Sequence, residues 1–200
     1  MLKRGLDLAL ASLGLVLSSP LWVLIPLLIK LDDGGPVFYA QERVGRGGHR
    51  FRSLKFRSMV VDAERFGPRQ AAAVDARVTR VGRWLRATAM DELPQLWNIA
   101  RGDMSFVGPR ALMPAEIEVN GHGGTVPIEA VAGYRERHAV APGLTGLAQI
   151  YADRDIPRRY KFKYDLLYIR RRSLALDLKL LALSFWITAR GKWEHRGPKL

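Results

Sequence analysis

The sequence predicts an α+β protein: a single compact, mostly helical domain with a short β-hairpin and an N-terminal re-entrant membrane helix. Three observations predict it. Leu8 to Ile29 is a 22-residue run without a formal charge, interrupted by Pro20. Pro36 to Met59 carries strand-like apolar runs on either side of Gly45-Arg46-Gly47-Gly48, the pattern of a hairpin. Further on, Leu93, Leu96, Trp97 and Ala100 recur at the spacing of one helix face, closed by Gly102. The expected organisation is a helix–break–helix over 1–30 and a domain with membrane-interface helices over 31–200.

A straight helix over the apolar run would cross a hydrocarbon core of roughly 30 Å. Pro20 prevents straightness by removing a donor and clashing with the carbonyl four residues back. Ser18 and Ser19 offer hydroxyls to the freed carbonyls, and Ser19-Pro20 is read as the membrane break. Pro26 is expected to weaken the second half again. Lys3 and Arg4 precede the run, while Lys30, Arg43, Arg46 and Arg50 follow it. A spanning helix would leave one basic flank on the wrong side, and a re-entrant one would not. A signal peptide fits poorly, because apolar residues continue well past any cleavage after Ser18.

With 200 residues the chain is most simply one domain. Its net charge of +13 calls for a polyanionic partner: nucleic acid, anionic lipid or a phosphorylated substrate. The absence of cysteine excludes disulfides and thiolate chemistry. His49, His122, His138 and His195 show no zinc-ligand spacing.

Lys55 and Arg57 alternate with Leu54 and Phe56, so they share a strand face that reads equally as solvated or phosphate-binding. Asp62 to Gln70 looks helical, and Ala71 to Val78 reads as a mobile connection. A short basic helix begins at Thr79 or Arg80 and runs through Arg86, with Val81, Trp84 and Leu85 inward. Glu116 to Ile128 reads as an exposed loop. Asp153-Arg154-Asp155 is a D-x-D that reads as a solvated turn. Arg158 to Tyr164 interleaves cations with aromatics, which suits nucleic acid or a bilayer interface. Leu174 to Ala189 favours the membrane, being apolar on most sides with a narrow polar stripe at Asp177, Ser184 and Thr188.

The densest signal is Met90 to Arg110. Spacing puts Asp91 at a helix N-cap, with Glu92 complementing the dipole and Pro94 tolerated in the first turn. Capping alone accounts for that pair. A helix N-terminus also attracts phosphate, however, and Arg86 and the Gly108-Pro109-Arg110 turn bring cations toward it.

The chain resembles the bacterial sugar transferases, the monotopic polyprenyl-phosphate phosphoglycosyl transferases, over nearly its whole length. The matching residues are Lys3-Arg4-x-x-Asp7, Ser19-Pro20, Gly35-Pro36-Val37-Phe38, Gln41-Glu42-Arg43-Val44-Gly45 and Lys55-Phe56-Arg57-Ser58-Met59. They continue with Asp91 to Asn98, Gly102 to Arg110 and Pro142 to Gln149. Ala111 departs where a second proline is usual, and Leu147 where tryptophan is common. The length looks like the minimal catalytic form of that family.

The resemblance implies transfer of a sugar 1-phosphate from a UDP-sugar to a polyprenyl phosphate such as undecaprenyl phosphate, releasing UMP. That is the first membrane step of surface polysaccharide or glycoconjugate synthesis. Asp91 matches the nucleophile that forms a covalent phosphosugar intermediate, and it lies near a required Mg²⁺. Glu92 assists as base or orienter. Arg86, Arg110, Lys55 and Arg57 are the phosphate-binding candidates, with Gly108 and Pro109 shaping the arginine turn. The implied location is the bacterial inner membrane, monotopic and facing the cytoplasm, with anionic lipids as partners. Nucleic acid is not expected, and a homo-oligomer is left open. The contrasting reading is a basic peripheral membrane or nucleic-acid-binding adaptor without catalysis, in which Asp91 and Arg110 are only a cap and a turn.

Overall fold

Pro20 breaks the N-terminal helix where the sequence places the break. Helix α1 (Leu2–Leu17) and helix α2 (Leu21–Asp33) meet at a bend of 61°. The computed structural model describes residues 2–66, 75–119, 124–153 and 156–193. At the bend the Ser18 hydroxyl donates to the Leu15 carbonyl at 3.4 Å and accepts from Trp22 Nε1 at 3.1 Å. Pro26, expected to weaken the second half, lies inside an unbroken α2, with Ile25 and Ile29 both buried on either side of the missing donor. The helix continues past residue 30 to Gly34, whose φ of 70° closes it as a left-handed cap. Among the described residues no single helix is long and apolar enough to cross a membrane, although the bent pair passes together by length and composition.

The pair is anchored at both ends. Lys3 pairs with Asp177 at 2.7 Å, and Arg4 donates to the carbonyls of Ile99 and Ala100 at 2.5 and 2.6 Å. Buried Asp7 accepts from the Ser105 hydroxyl and the Phe106 amide, each at 3.1 Å. At the other end Asp33 holds Arg57, and Asp32 accepts from the Val81 amide at 3.0 Å. The basic N-terminal flank therefore meets protein, in particular the carbonyl end of a helix.

Strands β1 (Phe38–Val44) and β2 (Arg50–Phe56) form the expected antiparallel hairpin, registered from Phe38 opposite Phe56 to Val44 opposite Arg50. Gly47 and Gly48 supply the positive φ values of 67° and 82° that its turn requires. Trp22 packs its edge on Phe56 at 5.4 Å, which ties α2 to the hairpin. Ala63–Phe66 is a 3-10 turn, and the rest of the helix expected to Gln70 lies outside the described residues. Residues 75–78 are not a loose connection. Val78 bridges Met59, and the Val60 amide donates to the Arg77 carbonyl at 2.8 Å.

Helix α3 (Arg80–Ala87) is capped by Thr79, whose hydroxyl accepts from the Gly82 amide at 2.9 Å. Leu85 is buried and Val81 partly so, but Trp84 points outward. Helix α4 (Gln95–Arg101) ends at Gly102 with φ 99°. It buries Gln95, Leu96, Asn98 and Ile99 and exposes Trp97, so its inward face is rotated from the expected one. Ala11, Phe51, Leu96, Ile99 and Met104 form the core beneath it.

Strand β3 (Ser105–Val107) leads into strands β4 (Ile117–Val119) and β5 (Thr125–Pro127), an antiparallel pair where an exposed loop was expected. Residues 120–123 between them, and Arg154-Asp155 of the D-x-D, lie outside the described residues. Buried Glu118 explains the difference: it accepts from the amides of Arg158 and Arg159 at 3.1 and 3.4 Å, drawing the strand inward. Helix α5 (Tyr134–Arg137) precedes strand β6 (Gly143–Thr145), which pairs with β3 in parallel. Helix α6 (Leu147–Tyr151), helix α7 (Arg158–Arg171) and helix α8 (Leu174–Ala189) complete the fold.

In α8 the polar stripe faces the protein. Asp177 accepts from Lys3 and from the Tyr168 hydroxyl at 2.8 Å, Ser184 pairs with Thr145 at 2.5 Å, and Thr188 accepts from Trp193 at 2.7 Å. Leu178, Phe185 and Trp186 are left outside at 50%, 73% and 56% exposure. Leu13, Val16, Leu17, Val23, Leu24 and Leu27 are exposed on the bent pair. An apolar exterior on this scale needs a cover other than water.

Candidate active site

Asp91 and Glu92 lie in a 3-10 turn, Met90–Glu92, between α3 and α4. The chain enters it through Ala89 at φ 56°, a left-handed backbone that alanine adopts at a cost. Asp91 is not the N-cap of α4, contrary to the spacing argument. Pro94 occupies that position, and its missing N–H stops the α ladder from extending back through the acidic pair. Instead the Glu92 and Leu93 amides close tighter bonds to Ala89 and Met90 at 3.1 and 3.2 Å.

Both carboxylates line a cleft of about 1260 Å³. Lys55, from the end of β2, pairs with Glu92 and stands 3.7 Å from Asp91 Oδ2, so one ammonium bridges the pair. Arg110 Nη2 lies 3.9 Å from Glu92 Oε1 with its side chain about half exposed to the cleft. Arg86 reaches the same cleft from the last turn of α3, half-buried. Four predicted residues, Asp91, Glu92, Lys55 and Arg110, are thus brought together, and Arg86 lines the same cleft.

Arg57 also lines the cleft, but its donors are engaged elsewhere. Its fork closes on Asp33, with Nη1 at 2.6 Å, and its Nε donates to the Pro36 carbonyl at 2.5 Å. Lys55 and Arg57 alternate as expected, but β2 ends between them and Arg57 is spent fastening α2 to the hairpin. Gly108 and Pro109 act through backbone packing. The Gly108 amide donates to the Thr145 carbonyl and the Gly143 amide to the Pro109 carbonyl, both at 2.9 Å. A Cβ at Gly108 would fall 2.5 Å from the Ala141 carbonyl oxygen. Glycine is therefore required for β3 and β6 to close under the arginine turn, and its N–H is not available to a phosphate.

Sequence reasoning missed two arginines. Arg43, on β1, donates to the Ala111 carbonyl at 3.0 Å and pairs with Gln41. Burial and the neighbouring Arg110 push its pKa down to about 10. Arg137, on α5, is buried against Asp165 at 3.0 Å and donates to the Arg110 carbonyl at 2.6 Å. Arg43 stands within a quoted motif, but nothing local marks Arg137, whose partners are distant in sequence.

Burial alone would raise the Glu92 pKa, but Lys55, Arg110 and Arg43 outweigh it and hold the carboxyl at about 2. A carboxylate so strongly held is a poor proton acceptor near neutrality, which favours an orienting role over general base. It also predicts an acid-dependent contribution to stability. The folded pKa is depressed from 4.5, so the contribution is fully present above pH about 4.5 and is lost as pH falls toward about 2. Urea titrations between pH 5 and 2 should show a steeper loss in the wild type than in Glu92→Gln. Parallel slopes would contradict the assignment.

Among the described residues no three metal-ligating side chains form a cluster. Mg²⁺ commonly takes one or two carboxylates with substrate phosphates and water. Asp91, at the cleft wall, suits that donor set, whereas Glu92 is engaged by cations.

The site is thus an acidic pair held by cations in a cleft of a chain whose bent helix pair carries an apolar exterior. The bacterial sugar transferase family model matches residues 1–191, and the chain belongs to that family. It is 44% identical over 190 residues to the undecaprenyl-phosphate glucose phosphotransferase of Komagataeibacter xylinus, covering 91% of this chain and 35% of that protein. It is 41% identical over 187 residues to the UDP-glucose:undecaprenyl-phosphate glucose-1-phosphate transferase of Klebsiella pneumoniae, covering 91% and 39%. It therefore spans well under half the length of these two relatives. The exopolysaccharide production protein ExoY of Rhizobium meliloti is nearer in size: 39% identity over 196 residues covers 90% of this chain and 82% of that protein.

Proposed function

We propose that this chain transfers a sugar 1-phosphate from a UDP-sugar to undecaprenyl phosphate or a similar polyprenyl phosphate and releases UMP, in the synthesis of a surface polysaccharide. The observation that carries the reading is the composition of the cleft. Its lining includes both the charged set Asp91, Glu92, Lys55, Arg86 and Arg110 and the apolar set Leu13, Leu17, Leu181 and Phe185 from α1 and α8. A charged head and an apolar tail are the two halves of a polyprenyl phosphate, and the charged set also suits a diphosphate.

In this mechanism an Asp91 carboxylate oxygen attacks the sugar-proximal phosphorus. A P–O bond forms to Asp91 while the bond to the bridging oxygen breaks, and that oxygen leaves with UMP. A phosphate oxygen of the polyprenyl acceptor then attacks the same phosphorus, and Asp91 is regenerated. Lys55 and Arg110 stabilise charge on the transferring phosphoryl group, and Glu92 keeps both cations in place. Arg86 adds a further cation for the departing phosphate. Asp91 would hold a Mg²⁺, which would neutralise charge on the diphosphate.

The same reading places the bent pair in the cytoplasmic leaflet of the inner membrane as a re-entrant hairpin, with anionic lipid around the basic surface. Anchoring of both ends on one body supports it: Lys3, Arg4 and Asp7 on one side, Asp32 and Asp33 on the other. The chain has no cysteine, so single labels report cleanly. Gly5→Cys, where a Cβ meets nothing within 4 Å, and Arg83→Cys should both react only with reagent from the cytoplasmic side. Labelling of Gly5→Cys from the periplasm alone would require a span.

The activity is tested by UMP release from a panel of UDP-hexoses and UDP-N-acetylhexosamines with Mg²⁺ and undecaprenyl phosphate. Acceptor-dependent turnover with at least one donor is expected. No UMP from any of them would return the chain to a non-catalytic membrane adaptor.

A further inference from the structure

Three consecutive carbonyls after the arginine turn are held by donors from elsewhere in the chain. Arg137 Nη2 donates to Arg110 O at 2.6 Å, Arg43 Nη1 to Ala111 O at 3.0 Å, and the Val44 amide to Leu112 O at 2.9 Å. The first of these comes from an unusual source. Arg137 is 2% exposed, and a buried guanidinium is costly unless its charge is paired and its donors are used. Its Nε donates to Asp165 Oδ2 at 3.0 Å, and Phe162 lies under it at 4.7 Å. Its Nη1 stands 3.3 Å from His138 Nε2, which is an acceptor if His138 Nδ1 donates to the Tyr134 carbonyl at 2.7 Å. The group is thus engaged on every side, and one engagement is the peptide from which the Arg110 side chain projects.

The Arg110 carbonyl lies between others held by different donors, Pro109 O by the Gly143 amide at 2.9 Å and Ala111 O by Arg43 at 3.0 Å. β3 ends at Val107, and Pro109 brings no N–H, so Arg110 stands between the β3–β6 contacts and the Leu112 bridge. A long side chain leaving such a turn samples many directions unless its backbone is fixed. A purely structural pair would be replaceable by two apolar residues of similar volume. What apolar residues cannot supply is a donor to the Arg110 carbonyl.

We propose that Arg137, locked by Asp165, is a positioning residue: it fixes the Arg110 peptide and so the angle at which the Arg110 guanidinium meets the donor diphosphate. This rests on the function proposed above. It assigns work to α5 and α7, which carry neither carboxylate of the acidic pair.

Arg137→Met alone leaves Asp165 buried without its counter-ion and is expected to unfold easily, so the test uses Arg137→Met with Asp165→Leu. That variant should recover most of the wild-type Tm. Its kcat/KM for the UDP-sugar should nevertheless fall by about tenfold to a hundredfold, the scale of a displaced binding group. The KM for undecaprenyl phosphate should stay within about twofold of wild type, because the acceptor's apolar arm is untouched. Combining the pair with Arg110→Ala should cost little beyond Arg110→Ala alone, since residues acting through one group are not additive. Fully additive losses, or activity that returns with the Tm, would overturn the inference.

Hydrogen exchange over residues 110–112 gives a readout that needs no turnover. It should quicken in the Arg137→Met/Asp165→Leu variant, and unchanged exchange would overturn the inference even in an inactive protein. Absence of UMP release from the wild type would instead overturn the functional reading.

Discussion

Asp91→Asn should abolish transfer while leaving the fold intact. The expected loss in kcat is roughly three orders of magnitude or more, the scale seen when a covalent nucleophile is removed. The amide keeps the volume of the carboxylate but cannot form the acyl-phosphate. Stability should change far less than activity, because the amide keeps the carboxylate's shape and Pro94, not Asp91, stands at the N-cap of α4. Thermal unfolding and turnover measured on the same preparation separate the two effects. A variant that folds and retains a tenth of the activity would leave Asp91 without a covalent role.

Lys55→Met should be the second most damaging change. The lysine bridges both carboxylates and is the foremost of the cations that hold Glu92 ionised. Its loss removes a charge from the transferring phosphoryl group and frees Glu92 to engage Arg110 more closely. A fall in kcat/KM of about a hundredfold to a thousandfold is expected, as for loss of one preorganised donor at an oxyanion. Part of that should return in Lys55→Met with Glu92→Gln, where no unpaired carboxylate competes for Arg110. Activity within about threefold of wild type in Lys55→Met would place the lysine outside the reaction.

The parts of this fold that are local in origin were legible in the sequence. The break at Pro20, the hairpin around Gly47 and Gly48 and the start of α3 at Arg80 each follow from a few adjacent residues, and each stands where expected. Pro26 is a local defect inside a helix that runs on, with Ile25 and Ile29 buried beside it. Trp84 and Trp97 were turned the wrong way. Periodicity tells which residues share a helix face, but it equates the apolar face with the core. In a protein with an apolar exterior that equation fails, and α8 inverts it outright by burying Asp177 while exposing Phe185 and Trp186.

The site divides in the same manner. Asp91, Glu92 and Arg110 lie in one stretch of chain, and Lys55 was picked out on a strand face. The structure joins these four, although Asp91 reaches the cleft from a 3-10 turn instead of a helix cap. Arg57 was drawn off by Asp33, a partner on another element that no spacing rule could foresee. Arg43 and Arg137 act on the backbone of residues 110 and 111 from positions 68 and 27 residues away, so their roles exist only in three dimensions.

In the proposed mechanism Asp91 carries the phosphosugar between donor and acceptor. This is tested most directly by mixing the protein with UDP-sugar and Mg²⁺ in the absence of any polyprenyl phosphate. The account predicts rapid release of UMP limited to one equivalent per active site, with a phosphosugar adduct on the peptide containing Asp91. Adding undecaprenyl phosphate should then discharge the adduct into lipid-linked product. If no UMP appears until the acceptor is present, and no adduct forms, transfer proceeds by direct displacement and the covalent role of Asp91 is contradicted.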